Sequence, residues 1–268
     1  MNNELQGKKL FLLDMDGTIY LGDSLFDGTL DFLDYVKKSG GKYMFLTNNS
    51  SKGLDKYVEK LAKLGIVATE DDFLSSVHAT SLYLHKHYEG KKMYVLGTKS
   101  FLNYLALDGH NVTDKRDDDI DVLVMGFDTE LTFKKLEDAC ILLGKDIPYI
   151  ATNPDWVCPT EWGYVPDCGS VSTMLKNATG KWPLFIGKPE PAMIELAIEK
   201  SKMTKEDAVI IGDRLYTDIA SGVNAGISTI FVLSGEGTLS DVEASEKKPT
   251  FIYKNIREIY NDLVRSKE

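Results

Sequence analysis

Phe11-Leu12-Leu13-Asp14-Met15-Asp16-Gly17-Thr18 is the stretch on which the fold turns. A short apolar run follows Lys8 and Lys9 and stops at a carboxylate, which predicts a buried strand ending at Asp14. Open α/β sheets bind their ligands outside the carboxyl ends of their strands, so Asp14 and Asp16 stand where a ligand is expected. Side chains two apart in a strand share a face. If the chain stays extended for one more residue, both carboxylates point into one small space. Like charges there are unfavourable unless a cation lies between them or one carboxyl carries a proton.

The same punctuation recurs outward from this stretch. Tyr20 to Asp27 reads as a loop, and Thr29 to Lys38 as a helix that Gly40-Gly41 ends. Tyr43 to Leu46 is a second buried strand, running into Thr47-Asn48-Asn49-Ser50-Ser51. Helices are predicted over 54–64 and 75–88, with 66–73 as a connector. At Lys91 the pattern restarts, with strands over 93–96, 111–112, 121–126 and 148–152. Helices over 100–107, 132–143 and 169–178 alternate with them, and 153–167 is a loop or hairpin. The first pattern then resumes with a strand over 184–186, leading into Gly187-Lys188-Pro189, and a helix over 192–201. A strand over 208–211 runs into Gly212-Asp213-Arg214, and a helix is predicted over 217–225. Strands over 228–233 and 250–253, a glycine-bearing loop over 234–240 and a helix over 255–265 close the chain. This alternation predicts an α/β protein with a doubly wound, mostly parallel, Rossmann-like sheet and an inserted α/β domain. The expected bounds are 1–81 with 183–268 for the core and 82–182 for the insert.

Composition narrows the chemistry. The 268 residues suggest one to two domains at roughly 150 residues each. A net charge of −10 argues against nucleic acid as a partner, which would need a basic patch, but leaves room for a small phosphorylated substrate. No apolar run reaches the roughly 18 residues of a membrane span. The polar start, Met1 to Lys9, carries no signal-peptide core, so a cytoplasmic location is expected. Cys140, Cys158 and Cys168 are odd in number, form no CxxC motif and read as free thiols. These and four scattered histidines are too few for a structural zinc site.

Four predicted strand ends carry polar clusters: Asp14 and Asp16, Thr47 and Asn48, Lys188, and Asp213 followed by Asp218. In a parallel sheet such ends share an edge, so distance along the chain does not prevent convergence. The carboxylates offer hard oxygen ligands suited to Mg²⁺. Thr47 offers a hydroxyl and Lys188 a compact positive charge, and with Mg²⁺ these could neutralise a phosphoryl group in its transition state.

DMDGT at 14–18, TNN at 47–49, GKP at 187–189 and GDRLYTD at 212–218 resemble, in order, the four motifs of the haloacid dehalogenase superfamily of phosphotransferases. The insert lies where that family's type-2 members carry their cap. TNNSS, ATNPD at 151–155 and GS at 169–170 resemble the NagD-like and 4-nitrophenylphosphatase branch, which includes pyridoxal phosphate and phosphoglycolate phosphatases. The resemblance covers essentially the whole chain. It implies a Mg²⁺-dependent phosphomonoester hydrolase in which Asp14 is the nucleophile and forms an aspartyl-phosphate. Asp16 then acts as general acid and later as general base. Mg²⁺ is expected on the Asp14 carboxylate, the Asp16 backbone carbonyl and Asp213. Thr47, Asn48 and Asn49 are expected to meet the phosphate, and Lys188 to bind it and restrain Asp14. Asp218 would position Lys188 or a metal-bound water.

Other residues allow two readings. Asn49, Ser50 and Ser51 either cradle substrate or cap the following helix. Asn153 and Asp155 either line the site or form a proline turn. Trp156, Trp162 and Tyr164 could meet a leaving group, although aromatics there more often form core or interface. His78, His85 and His87 read as a solvated helix face, since His87 falls off the face of the other two. Gly235 and Gly237 are too sparse for a dinucleotide fingerprint. The rival functions are a phosphotransferase or phosphomutase on the same core, and a non-catalytic binding protein on this scaffold. The resemblance also raises a homodimer as an expectation.

Overall fold

Four consecutive apolar residues, Leu10–Leu13, are buried on both faces and form a central strand in the computed structural model, which describes residues 3–48, 54–160 and 163–265. They sit in a six-stranded sheet ordered Phe251–Tyr253, Ser228–Val232, Ala208–Gly212, Leu10–Leu13, Lys42–Thr47 and Phe73–Ser75. The strand pairs parallel on both sides, with Leu12 opposite Ile210 and opposite Met44. A strand buried on both faces needs no polar alternation, which is why the apolar runs are continuous.

Helices cover both faces. Phe11, Leu13, Phe45, Val209, Ile211 and Val232 point to one face and pack with Phe32, Leu33 and Val36 of helix Thr29–Lys38 and with Ile259 and Leu263 of helix Ile256–Arg265. Ile210 points to the other, where Gly222 of helix Ala220–Ala225 comes so near that a Cβ would lie 2.6 Å from the Ile210 Cγ2. The sheet is therefore doubly wound, as the sequence predicts.

The chain divides into two compact units, one of residues 1–47, 52–74 and 188–268, the other of 48–51 and 75–187. The second unit has its own five-stranded parallel sheet, ordered Leu184–Phe185, Tyr149–Ala151, Val122–Met125, Lys92–Leu96 and Asn111–Thr113. Tyr94, Leu96, Leu123, Met125, Leu142 and Leu175 form its core. The seams fall at 74/75 and 187/188 rather than at 81/82 and 182/183. The reason is hydrogen bonding: Leu184–Phe185 pairs with Ile150 and Ala151 instead of joining the larger sheet. Residues 157–160 and 163–166 form an antiparallel hairpin. No helix among the described residues is long and apolar enough to cross a membrane.

Three local elements depart from the sequence reading. Phe73–Ser75, read as the end of a connector, is an edge strand. Tyr20–Leu21 and Ser24–Leu25 pair inside the first loop. Leu239–Ala244 is a helix rather than loop, started by a capping box between Thr238 and Asp241.

Asp167 caps helix Cys168–Thr179, its carboxylate accepting from the Cys168 amide at 2.6 Å. Burial pushes its carboxyl up to about 6, against the opposing pull of the Cys168 N–H. A carboxyl whose pKa rises on folding holds its proton more tightly when folded. Its contribution therefore favours the fold in acid and is lost as pH rises from about 4 through about 6. Asp167→Asn keeps a capping oxygen and removes the titration. It is expected to raise stability above that window by on the order of 2 kcal/mol, with no gain below it. Urea unfolding of parent and variant on either side of the window reads this directly.

Candidate active site

The strand Leu10–Leu13 delivers Asp14 to the carboxyl edge of the sheet, where the Asp14 amide still donates to the Ile211 carbonyl at 2.9 Å. The chain then turns. The Ile19 amide donates to the Met15 carbonyl at 2.9 Å, and Gly17 adopts a φ of 85°, which a side chain would strain. The ladder thus ends at Leu13, and Asp16 lies in the turn with an isolated bridge to Tyr20. Asp14 is half-buried and Asp16 exposed.

Lys188 sits at the centre of the group. Its Nζ donates to Asp14 Oδ1 at 2.7 Å, to Asp218 Oδ1 at 2.6 Å and to the Leu46 carbonyl at 3.3 Å. The residue is 3% exposed. Burial alone would lower the lysine, but the two carboxylates outweigh it and hold the ammonium above its ordinary value. Lys188 follows a strand of the second unit's sheet, so it reaches this edge without ending a strand of the larger sheet.

Asp218 is fully buried on a π-helical turn, Leu215–Ile219. Turns of this kind are frequent at functional sites. Its Oδ2 accepts from the Arg214 amide at 3.2 Å. Burial and then the Asp14 charge push its carboxyl up, while Lys188 pulls it down. Gly212 makes room, since a Cβ there would lie 2.3 Å from the Asp218 Cβ.

Asp213 follows strand Ala208–Gly212 and is 2% exposed. Its Oδ2 accepts from the Glu236 amide at 2.7 Å, while its buried Oδ1 has no hydrogen-bond partner among the described residues. Burial pushes this carboxyl up, the Glu236 amide works against that, and Asp14 adds to the rise. Gly17 and Gly235 close around it: a Cβ on either would fall 2.4 or 2.0 Å from the Asp213 Oδ2. Ligand oxygens of Asp14, Asp213 and Asp218 lie within 4.8 Å of one another. A carboxylate oxygen buried without a donor, beside a second acidic oxygen, fits a hard divalent cation. The Asp16 carboxylate is not part of this group.

Thr47 ends strand Lys42–Thr47 and is 7% exposed. Asn48 belongs with the second unit, where its carboxamide donates to Asp155 at 2.9 Å. Asp155 also accepts from Asn153 at 2.7 Å, so this pair forms a polar network with Asn48. Asn49, Ser50, Ser51 and Trp162 lie outside the described residues. Trp156 and Tyr164 are exposed. His87 stacks on Tyr83 at 4.3 Å, while His85 turns to a different neighbour. Sequence reasoning missed the Ser234-Gly235-Glu236 segment. It supplies the amide on Asp213, and the Ser234 hydroxyl donates to the Gly17 carbonyl at 2.7 Å. Its one signal was a cluster of glycines after a strand.

Residues 11–111 match the profile of the haloacid dehalogenase-like hydrolases, and 185–259 match a HAD-hydrolase-like profile. An acid sugar phosphatase of Staphylococcus aureus (strain MRSA252) is 36% identical over 255 residues, spanning 95% of this chain and 98% of that protein. The crystal structure of a 4-nitrophenylphosphatase from Thermotoga maritima is 41% identical with a TM-score of 0.89, covering 98% of this chain and all (100%) of that one. A glycerol phosphate phosphatase from Mycobacterium tuberculosis, solved in complex with calcium, is 29% identical with a TM-score of 0.85. It covers 96% of this chain and 76% of that one.

Lys188→Met removes the cation that the Asp14 and Asp218 carboxylates share among the described residues. Breaking a buried ion pair from one side leaves a charge without compensation. The variant is expected to lose about 3 kcal/mol near neutral pH. The loss shrinks in acid, where protonation of Asp218 relieves it. Urea unfolding in metal-free buffer at two pH values measures both parts.

Proposed function

Because the chain belongs to the haloacid dehalogenase-like hydrolases, in their NagD-like branch, we propose that it is a phosphomonoesterase acting on small phosphorylated metabolites. The observation that carries this reading is the placement of Lys188 on both Asp14 and Asp218, beside an Asp213 oxygen that has no donor among the described residues.

Asp14 is the nucleophile. Its free oxygen attacks phosphorus, the bond from phosphorus to the ester oxygen breaks, and an aspartyl-phosphate forms. Lys188 holds the attacking carboxylate in place through the other oxygen and offers positive charge to the incoming phosphoryl group. Asp16 gives its proton to the departing ester oxygen. It then takes a proton from the water that attacks phosphorus and releases Asp14. Its exposure and the turn at 15–19 support that role, since the side chain stays free of the Lys188 network. Thr47, Asn48 and Asn49 donate hydrogen bonds to the phosphoryl oxygens. Asp218 touches no substrate and positions Lys188. A Mg²⁺ ion, held by the carboxylates of Asp14 and Asp213 and the backbone carbonyl of Asp16, would neutralise charge on the phosphoryl group.

The inserted unit serves as the substrate-selecting cap. Sugar phosphates are the first substrate class to test, from the name of the Staphylococcus relatives, and glycerol phosphate the next. The reduced state of Cys140 and Cys168 supports a cytoplasmic setting.

Asp14→Asn is expected to abolish release of 4-nitrophenol from 4-nitrophenyl phosphate with the fold unchanged by circular dichroism. Asp16→Asn should slow turnover by roughly 10²–10⁴-fold. Chelation should stop the parent enzyme and added Mg²⁺ restore it. An Asp14→Asn protein that works at the parent rate would falsify the reading.

A further inference from the structure

Two of the four histidines meet in the second unit. His85 lies on helix Ser76–Tyr88, and His110 lies just past helix Lys99–Leu107. Their rings stack with centroids 4.0 Å apart and planes tilted by 32°. Asp108 joins them. Its Oδ2 lies 3.2 Å from the Nε2 of His85 and 3.9 Å from that of His110. The three ligand atoms are all within 4.8 Å of one another. Ser81, one turn before His85 on the same helix, is buried; it donates a short hydrogen bond to Asp108, and its oxygen lies 2.7 Å from the His110 Nε2.

We propose that His85, Asp108 and His110 form a binding site for a divalent transition-metal ion of the zinc class, distinct from the Asp14–Asp213 group. Two imidazole nitrogens with one carboxylate oxygen are borderline ligands. They suit Zn²⁺, Ni²⁺ or Cu²⁺ better than Mg²⁺, which prefers oxygen alone. Nitrogen and oxygen ligands stand about 2.0–2.2 Å from zinc, which places them about 3.3 Å apart in a tetrahedron. The distance from Asp108 to His85 already matches that edge, and the distance to His110 needs a shift of about half an ångström.

The freedom for that shift is unevenly distributed. The His110 side chain is 3% exposed and fixed, whereas His85 and Asp108 are 42% and 43% exposed and can close on an ion. The exposed side leaves a fourth position for water. Ser81 meets the same Asp108 Oδ2 and His110 Nε2, so ion binding requires it to release the His110 nitrogen, which then carries its proton on Nδ1, while its bond to Asp108 orients the carboxylate. A bound ion would cross-link helix Ser76–Tyr88 to the turn at 108–110. Sequence reading could not see the site, because it grouped His85 with its helix neighbours His78 and His87. The partner, His110, comes from another element.

The test uses the full-length protein with saturating Mg²⁺, so that the acidic group is filled. Zn²⁺ is titrated by calorimetry, and Cu²⁺ is added in parallel for electron paramagnetic resonance. One Zn²⁺ per chain is expected, with nitrogen splitting from two imidazoles in the Cu²⁺ spectrum. His85→Ala removes an exposed ligand and should fold normally. It is expected to weaken Zn²⁺ binding by more than roughly 100-fold, beyond the loss that an outer partner's removal causes, and to remove one nitrogen from the spectrum. His87→Ala should change neither. A Cu²⁺ spectrum of oxygen ligands only, or Zn²⁺ binding unchanged in His85→Ala, would overturn the proposal.

Discussion

The ammonium group of Lys188 bonds to Asp14 and Asp218, which lie in different segments of the first unit's sequence, and to the carbonyl of Leu46. These three partners follow or occupy three different stretches of the larger sheet. Burying one cation between two carboxylates is costly unless the hydrogen bonds are complete. Here the backbone helps complete them: Asp218 takes the Arg214 amide as well. The rest of the site can then be read as support for that arrangement. The π-helical turn at 215–219 brings Asp218 under the sheet edge, and Gly212 leaves the space that its side chain fills. Among the described residues Asp213 has one oxygen bonded and one without a donor, the asymmetry expected of a carboxylate available to a cation.

Much of this was legible in the sequence. The strands at 10–13, 42–47, 208–212 and 228–232 announce themselves as apolar runs that stop at small polar residues. Their parallel order follows from the helices between them. Other features were hidden for physical reasons. Leu184–Phe185 has the same apolar character whichever sheet it joins, and only pairing with Tyr149–Ala151 decides the matter. Continued strand geometry was the condition on which the sequence set Asp16 beside Asp14. The turn at Gly17 breaks it, and a glycine's left-handed φ leaves no mark in a hydrophobicity pattern. The Glu236 amide contributes through backbone, so its side-chain identity says nothing of the role.

The two acids of the opening stretch consequently differ in environment. Asp14 is held by Lys188, whereas Asp16 is exposed beyond the turn. Nucleophilic attack favours a fixed, ionised oxygen, and proton transfer favours a side chain free to face both leaving group and water. One short loop can supply both because its first residue is anchored and its third is not. The second unit follows a different logic. Its own parallel sheet and core make it a separately packed body.

The central claim is that phosphorus is attacked first by Asp14 and only then by water. Two in-line displacements restore the configuration at phosphorus, and a single one inverts it. Hydrolysis of a chiral thiophosphate ester in isotopically labelled water, followed by assignment of the product's configuration, separates the two. Net retention is the predicted result. Net inversion would mean that water attacks the substrate directly, and would contradict the account.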